Sequence, residues 1–137
     1  MNGFRIDTGV KRIEVNDAGE YIELQLGDAS LFEHISAFMS EIQSKSHELA
    51  ARMKEDGFEA DAFAVFYAKT HTELMQKVDD LFGPETCRKV FGNIVPGTDL
   101  LIQFFEALMP YFKEHAKAQQ ERLGKYSKYS AERTGGA

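Results

Sequence analysis

The stretch RIEVNDAGEYIELQL, residues 12–26, decides the fold class of this 137-residue chain. On both sides of the sequence NDAG, residues 16–19, apolar residues stand at every second position with charged or polar residues between them. These apolar residues are Ile13, Val15, Ile22, Leu24 and Leu26. Alternation of this kind is typical of strands with one apolar face, and NDAG is rich in residues that favour turns. The pattern therefore predicts a β-hairpin.

The hairpin is expected to cover about residues 4–26, with Phe4, Ile6 and Val10 as its lead-in. A lone hairpin is marginally stable in water, so its apolar face must pack on other elements.

From residue 28 onward the apolar period is that of helices. Ser30 and Glu33 predict a capping box at the start of the first helix, and Asp56-Gly57 predicts its end. Seven positions are spaced alternately by three and four residues and form one seam: Phe32, Ile35, Met39, Ile42, Ser46, Leu49 and Met53. Such a seam suits a helix of the same chain or of a second copy.

Three more helices are expected after it. They cover about residues 60–82, 84–91, and 98 to Leu123-Gly124. The inward positions of the second helix are predicted to be Phe63, Phe66, Tyr67, Thr70, Leu74, Val78 and Leu81. The chain is thus predicted to be an α+β protein, with an N-terminal β-hairpin packed on a bundle of about four helices over residues 1–123. Residues 124–137 are expected to form a mobile basic tail.

The helix that contains LLIQFFEALMPYF, residues 100–112, carries apolar residues over an arc of roughly 220°. One interpretation makes it the buried central helix of the bundle, with Pro110 on its narrow wet face. The other leaves part of the arc exposed for a partner protein, and it names Phe105, Met109 and Phe112 as partner-binding residues.

Charge is divided unevenly along the chain. Residues 113–137 carry six cations and three acids, so they hold +3 and the remainder holds −9 of the net −6. An acidic body discourages binding to phosphate backbones. Lys125, Tyr126, Lys128 and Tyr129 interleave bases with aromatic rings, which favours a partner-binding tail or, alternatively, a nucleic-acid-associated or regulatory role.

Motifs for catalysis, phosphate binding or metal binding are missing from the sequence. The four histidines are widely separated, and Cys87 has no second cysteine to pair with. We therefore expect no enzymatic activity, cofactor or metal. The chain also shows no signal peptide and no apolar run of the ~20 residues that a membrane span needs, which predicts a soluble protein.

Two runs, RIEVNDAGEYIELQLGD at residues 12–28 and ETCRKVFGNIVPGTDLLIQFFEALMPYF at 85–112, resemble a family of tail assembly chaperones encoded by tailed phages and prophages of Gram-positive bacteria. The resemblance rests on the asparagine-aspartate turn, followed in order by Phe91-Gly92, Pro96 and Phe104-Phe105. It implies a protein that binds and solubilises the tape measure protein and assists tail tube assembly, with the tube protein and further copies of the chain as additional candidate partners. It also implies a place in the host cytoplasm during virion assembly and not in the mature virion.

Overall fold

The computed structural model describes the backbone of residues 3–135 and the side chains of residues 3–128. Within those residues the elements are β1 (Val10–Glu14), β2 (Tyr21–Gln25), α1 (Leu31–Met53), α2 (Ala60–Phe82), α3 (Thr86–Phe91) and α4 (Thr98–Gly135). This order confirms the predicted α+β class, with an N-terminal hairpin and a helical bundle. The chain forms two compact units, Met1–Ile102 and Gln103–Ala137, whose boundary lies inside α4.

The two strands pair antiparallel around the predicted turn. Ile13 stands opposite Ile22 in the register, and Ile22 and Leu24 of β2 are buried. Within the turn, the Asn16 carboxamide oxygen accepts hydrogen bonds from the backbone N–H groups of Ala18 and Glu20. This side chain therefore holds the turn closed, in the way that asparagine side chains commonly organise turns.

The hairpin is shorter than the sequence predicted. Phe4 and Ile6 precede β1 and have exposed fractions of 85% and 73%. The prediction that they lead into the hairpin is wrong, because β2 ends at Gln25 and pairs only back to Val10.

The turn is joined to α3, more than 60 residues further along the chain. The Asn16 amide nitrogen donates to the main-chain carbonyl of Lys89 at 3.0 Å. Beside it, the Arg88 guanidinium donates to the Glu20 carboxylate at 2.8 Å. The hydrogen bond from Arg88, followed by that from Asn16, holds the pKa of the Glu20 carboxyl below its ordinary value.

Helix α1 begins where the sequence predicted, although the predicted capping box is wrong. The Ser30 hydroxyl and backbone N–H both donate to the Asp28 carboxylate, so the hydroxyl is engaged outside the helix. The buried face consists of Leu31, Ile35, Phe38, Ile42 and Leu49. Phe32 and Met53, which the predicted seam placed inward, are instead exposed.

Helix α2 contacts α1, α3 and β2 and is the central element of the first unit. Its buried residues are Thr70, His71, Leu74, Val78 and Phe82. Among these residues, His71 is a buried histidine with both ring nitrogens paired. Its Nδ1 lies 2.8 Å from the Tyr67 carbonyl, and its Nε2 lies 2.8 Å from the Thr98 hydroxyl. A carbonyl only accepts, so Nδ1 carries a proton and donates to Tyr67, while Nε2 is paired with the Thr98 hydroxyl.

The sequence predicted that α4 ends at Leu123-Gly124. In the structure the helix continues to Gly135. Residues 124–135 are therefore helical where a tail without helical structure was expected. Gly124 has no left-handed backbone that would terminate a helix. Pro110 lies inside the helix with its side chain exposed, as predicted, together with Gln103, Glu106, Lys113 and Glu114.

Candidate partner-binding surface

A row of aromatic rings runs along α2 from the α1–α2 connection. The Phe58 and Phe63 ring centroids are 5.4 Å apart, those of Phe63 and Tyr67 are 6.0 Å apart, and those of Tyr67 and His71 are 4.1 Å apart. Phe63, Tyr67 and His71 follow one another at intervals of four residues, which places them on the same side of a helix. The row is therefore a product of helical spacing and of the turn that brings Phe58 to its end.

The two ends of this row differ in exposure. His71 is buried, Phe63 is half-buried, and Tyr67 and Phe58 are exposed by 37% and 42%. The Tyr67 hydroxyl lies so close to Gly97 that a Cβ at residue 97 would stand 2.7 Å from it. One end of the row is thus fixed by packing, while the other reaches solvent.

The connection itself is positioned by glycine. Helix α1 ends at Met53, and Gly57 adopts a φ of +81°, a conformation that favours glycine. This turn sends the chain back into α2 and sets Phe58 against Phe63. Beside them, the Arg52 guanidinium lies 3.7 Å from the centre of the Phe66 ring, a cation–π contact. We call Phe58, Phe63, Phe66 and Tyr67 the aromatic tip.

A shallow cleft opens at the aromatic tip. Its volume is about 250 Å³, and it is lined by Arg52, Glu55, Gly57, Phe58, Glu59, Ala62 and Phe63. The volume lies below the range typical of pockets for drug-sized molecules. The cleft therefore has the size of a recess for one or two side chains of a partner protein.

Two of the residues that line the cleft, Glu55 and Glu59, are acidic, and Asp56 and Asp61 are close to them in sequence. Glu55, Asp56, Glu59 and Asp61 are all exposed, and we call them the acidic rim. Over residues 52–61, these four carboxylates and the two cations Arg52 and Lys54 leave a balance of −2. An exposed recess that places the Phe58 and Phe63 rings beside carboxylates favours partners that combine apolar and basic side chains.

The residues that the sequence singled out for partner binding have different environments. Phe105 and Phe112 are buried, with exposed fractions of 3% and 8%, and Met109 is half-buried. The expectation of an accessible apolar face at Phe105 and Phe112 is therefore wrong. Farther along α4, the side chains of Lys125, Tyr126 and Lys128 are exposed, and that of Tyr129 lies outside the described residues.

Sequence reasoning missed the aromatic tip because it assigned Phe63, Phe66 and Tyr67 to the core. The signal that could have identified it is Phe58, an aromatic residue directly after the helix-ending Gly57 and among four carboxylates. A large apolar residue in so polar a connection indicates a surface contact rather than a core position.

Cys87 is buried and chemically quiet. Its thiol donates a weak hydrogen bond to the Met75 carbonyl, with Sγ 3.7 Å from the oxygen, and its backbone N–H donates to Asp79. Burial, and secondarily the Asp79 carboxylate, raise the pKa of this thiol to about 12. The structure thus gives Cys87 the environment of a packed residue and not that of a nucleophile.

Neither a metal cluster nor a membrane span is found in the part of the chain that the structure describes. Among these residues, no three His, Cys, Asp or Glu side chains converge in a manner suited to a metal ion. Within the same range, no helix is both long and apolar enough to cross a membrane.

The described residues form an α+β fold in which an N-terminal hairpin is followed by four helices. Residues 18–136 match the model of a family described as "Family of unknown function (DUF6673)". The match covers most of the chain, which therefore belongs to this family. Searches among curated proteins and among solved structures gave no match.

Proposed function

We propose that this chain is a tail assembly chaperone of a tailed phage or prophage. It binds the tape measure protein, keeps it soluble in the host cytoplasm and assists assembly of the tail tube around it. The aromatic tip takes apolar side chains from helical stretches of the tape measure protein, as in other helix-in-groove contacts.

The resemblance of residues 12–28 and 85–112 to such chaperones is one support for this proposal. The two segments are far apart in sequence, yet they are joined by the hydrogen bond from Asn16 to the Lys89 carbonyl and by the Arg88–Glu20 ion pair. The residues of the asparagine-aspartate turn therefore have a structural reason to occur together with the segment after residue 85.

The observation that carries the proposal is the exposed aromatic tip. Apolar rings that reach solvent at a helical connection cost free energy in the isolated chain and are typical of protein-binding surfaces. The acidic rim adds solubility and selects clients with basic flanks. These are the properties that a protein needs in order to hold an apolar, aggregation-prone client.

Co-expression with the tape measure protein encoded beside this chain tests the proposal. We expect the tape measure protein to stay soluble and to co-purify with the chain at a fixed ratio. A tape measure protein that remains insoluble and unbound in the presence of the folded chain would refute the proposed function.

Two substitutions assign the binding to the aromatic tip. Phe58→Ser should abolish co-purification while the circular dichroism spectrum stays unchanged, since Phe58 is partly exposed. Val65→Ser is the matched control, because Val65 is 71% exposed and lies ~160° around α2 from Phe63. It removes exposed apolar surface from α2, away from the aromatic tip, and should leave binding intact.

A further inference from the structure

Exposed apolar side chains also occur near the end of the described part of α4. Leu123 and Tyr126 are exposed by 66% and 67%. At about 100° per residue, both lie within ~40° of the buried Phe112 around the helix axis. They therefore lie on the side of α4 that is buried at Phe112, but farther along the helix, where the side chains are exposed.

This part of α4 is basic. Residues 117–128, which we call the basic segment, contain Lys117, Arg122, Lys125 and Lys128 against the single acid Glu121, a balance of +3. All five side chains are exposed. The segment therefore combines apolar and basic side chains on one exposed helix, which is the chemistry that the aromatic tip and acidic rim favour in a partner.

We propose that the aromatic tip of one copy binds the basic segment of a second copy. Tyr126 and Leu123 cover the aromatic tip, while Lys125 and Lys128 face the acidic rim. The contact joins two different surfaces. If each of two copies binds the basic segment of the other, a closed two-fold dimer forms; if each copy binds a different neighbour, head-to-tail chains form.

Charge complementarity is what selects a second copy as the occupant. The acidic rim carries −2 over residues 52–61, and the basic segment carries +3 over twelve residues, which is about 18 Å of helix. Both surfaces present exposed aromatic rings beside these charges. Because the charges are exposed, the association should weaken with added salt.

The inference does not depend on the tape measure protein, and it adds a regulatory consequence if the proposed function holds. A client that binds the aromatic tip must displace the basic segment of the second copy. Self-association would then keep the aromatic tip covered until a client arrives.

Sedimentation velocity of the full chain without any client tests the inference. We expect the average mass to rise with protein concentration at low salt and to fall towards that of a monomer at high salt. A chain that stays monomeric up to about 1 mM at low salt would overturn the proposal, and so would salt-insensitive association. The co-expression experiment is separate, so failure of either idea is distinguishable from failure of the other.

A charge-swap pair identifies the two surfaces. Glu55→Lys/Glu59→Lys makes the rim basic, and Lys125→Glu/Lys128→Glu makes the segment acidic, so each variant alone should be monomeric. Their mixture should regain a dimer of one copy of each, since opposite charges are restored across one contact. If both variants associate as the native chain does, or if their mixture stays monomeric while both remain folded by circular dichroism, the assignment is wrong. If either variant fails to fold, the salt dependence of self-association of the native chain decides whether the proposal holds.

Discussion

The side-chain amide of Asn16 donates a hydrogen bond of 3.0 Å to the main-chain carbonyl of Lys89, and so ties the hairpin turn to α3. The other end of the same carboxamide accepts two backbone N–H groups within the turn. One side chain thereby fixes both a local conformation and a contact between elements 73 positions apart in sequence.

Substitution of Asn16 should separate these two roles. Asn16→Asp keeps the acceptor that closes the turn, but it loses the donor to Lys89 and adds a negative charge beside Glu20. We expect it to lower the free energy of unfolding by about 1–3 kcal/mol in urea titrations, with Asn16→Ala at least as severe. Asp17→Ala, at an exposed position of the same turn, should change it by less than about 0.5 kcal/mol. Equal effects at both positions would remove the role assigned to Asn16.

The buried hydrogen bond between Thr98 and His71 leads to a second prediction. Thr98→Val preserves shape but leaves Nε2 of the buried ring without its hydrogen-bond partner, which should destabilise the protein by about 1–3 kcal/mol. Thr72→Val is the control, because the exposed Thr72 hydroxyl donates only to the Ala68 carbonyl in its own helix. Denaturant midpoints measure both variants. A Thr98→Val protein as stable as the Thr72→Val protein would contradict the stabilising role assigned to the hydrogen bond between Thr98 and His71.

The thiol of Cys87 should resist alkylation in the folded protein. Its raised pKa, about 12, keeps it protonated at mildly alkaline pH, and its burial limits access of reagents. The neutral form is the one favoured by folding, so this group contributes stability below its unfolded pKa and loses that contribution as pH rises through the folded value. Iodoacetamide labelling followed by mass spectrometry should show modification only in denaturant. Rapid labelling of the native chain would show that Cys87 is accessible.

Gly124→Ala tests the extent of α4. Gly124 lies within the helix, and apart from its chain neighbours and the adjacent helix backbone, no atom of the described residues is within 4 Å of the position that a Cβ would take. Alanine is favoured over glycine inside a helix by about 0.5–1 kcal/mol, so the far-ultraviolet circular dichroism should show equal or greater helicity. Reduced helicity would mean that the glycine ends the helix in a left-handed conformation, as the sequence pattern predicted.

Periodicity predicted the class of each element well, because burial imposes a period of two on the strands and of 3.6 on the helices. The spacing of Ile22 and Leu24 identified β2, and the turn residues identified the hairpin. The ends of the helices were harder to predict, because different side chains compete for the same hydrogen-bonding groups there. Asp28 engages the Ser30 hydroxyl that the capping-box pattern assigned to the helix.

The candidate surface was harder to predict for a related reason. An aromatic residue at helical spacing has the same sequence signature whether the neighbouring helix covers it or stops short of it. Phe105, which one of the two interpretations left exposed for a partner, is buried, whereas Tyr67 was predicted to be inward and is partly exposed. The position of the α1–α2 turn decides how far the rings that precede His71 are exposed to solvent.

Amide hydrogen–deuterium exchange on the chain, alone and bound to the co-purified tape measure protein, tests the central claim most directly. Backbone amides of residues 52–67, which contain the aromatic tip and the acidic rim, should exchange more slowly in the complex. Unchanged exchange over residues 52–67, with protection confined to other parts of the chain, would contradict the assignment of client binding to the aromatic tip.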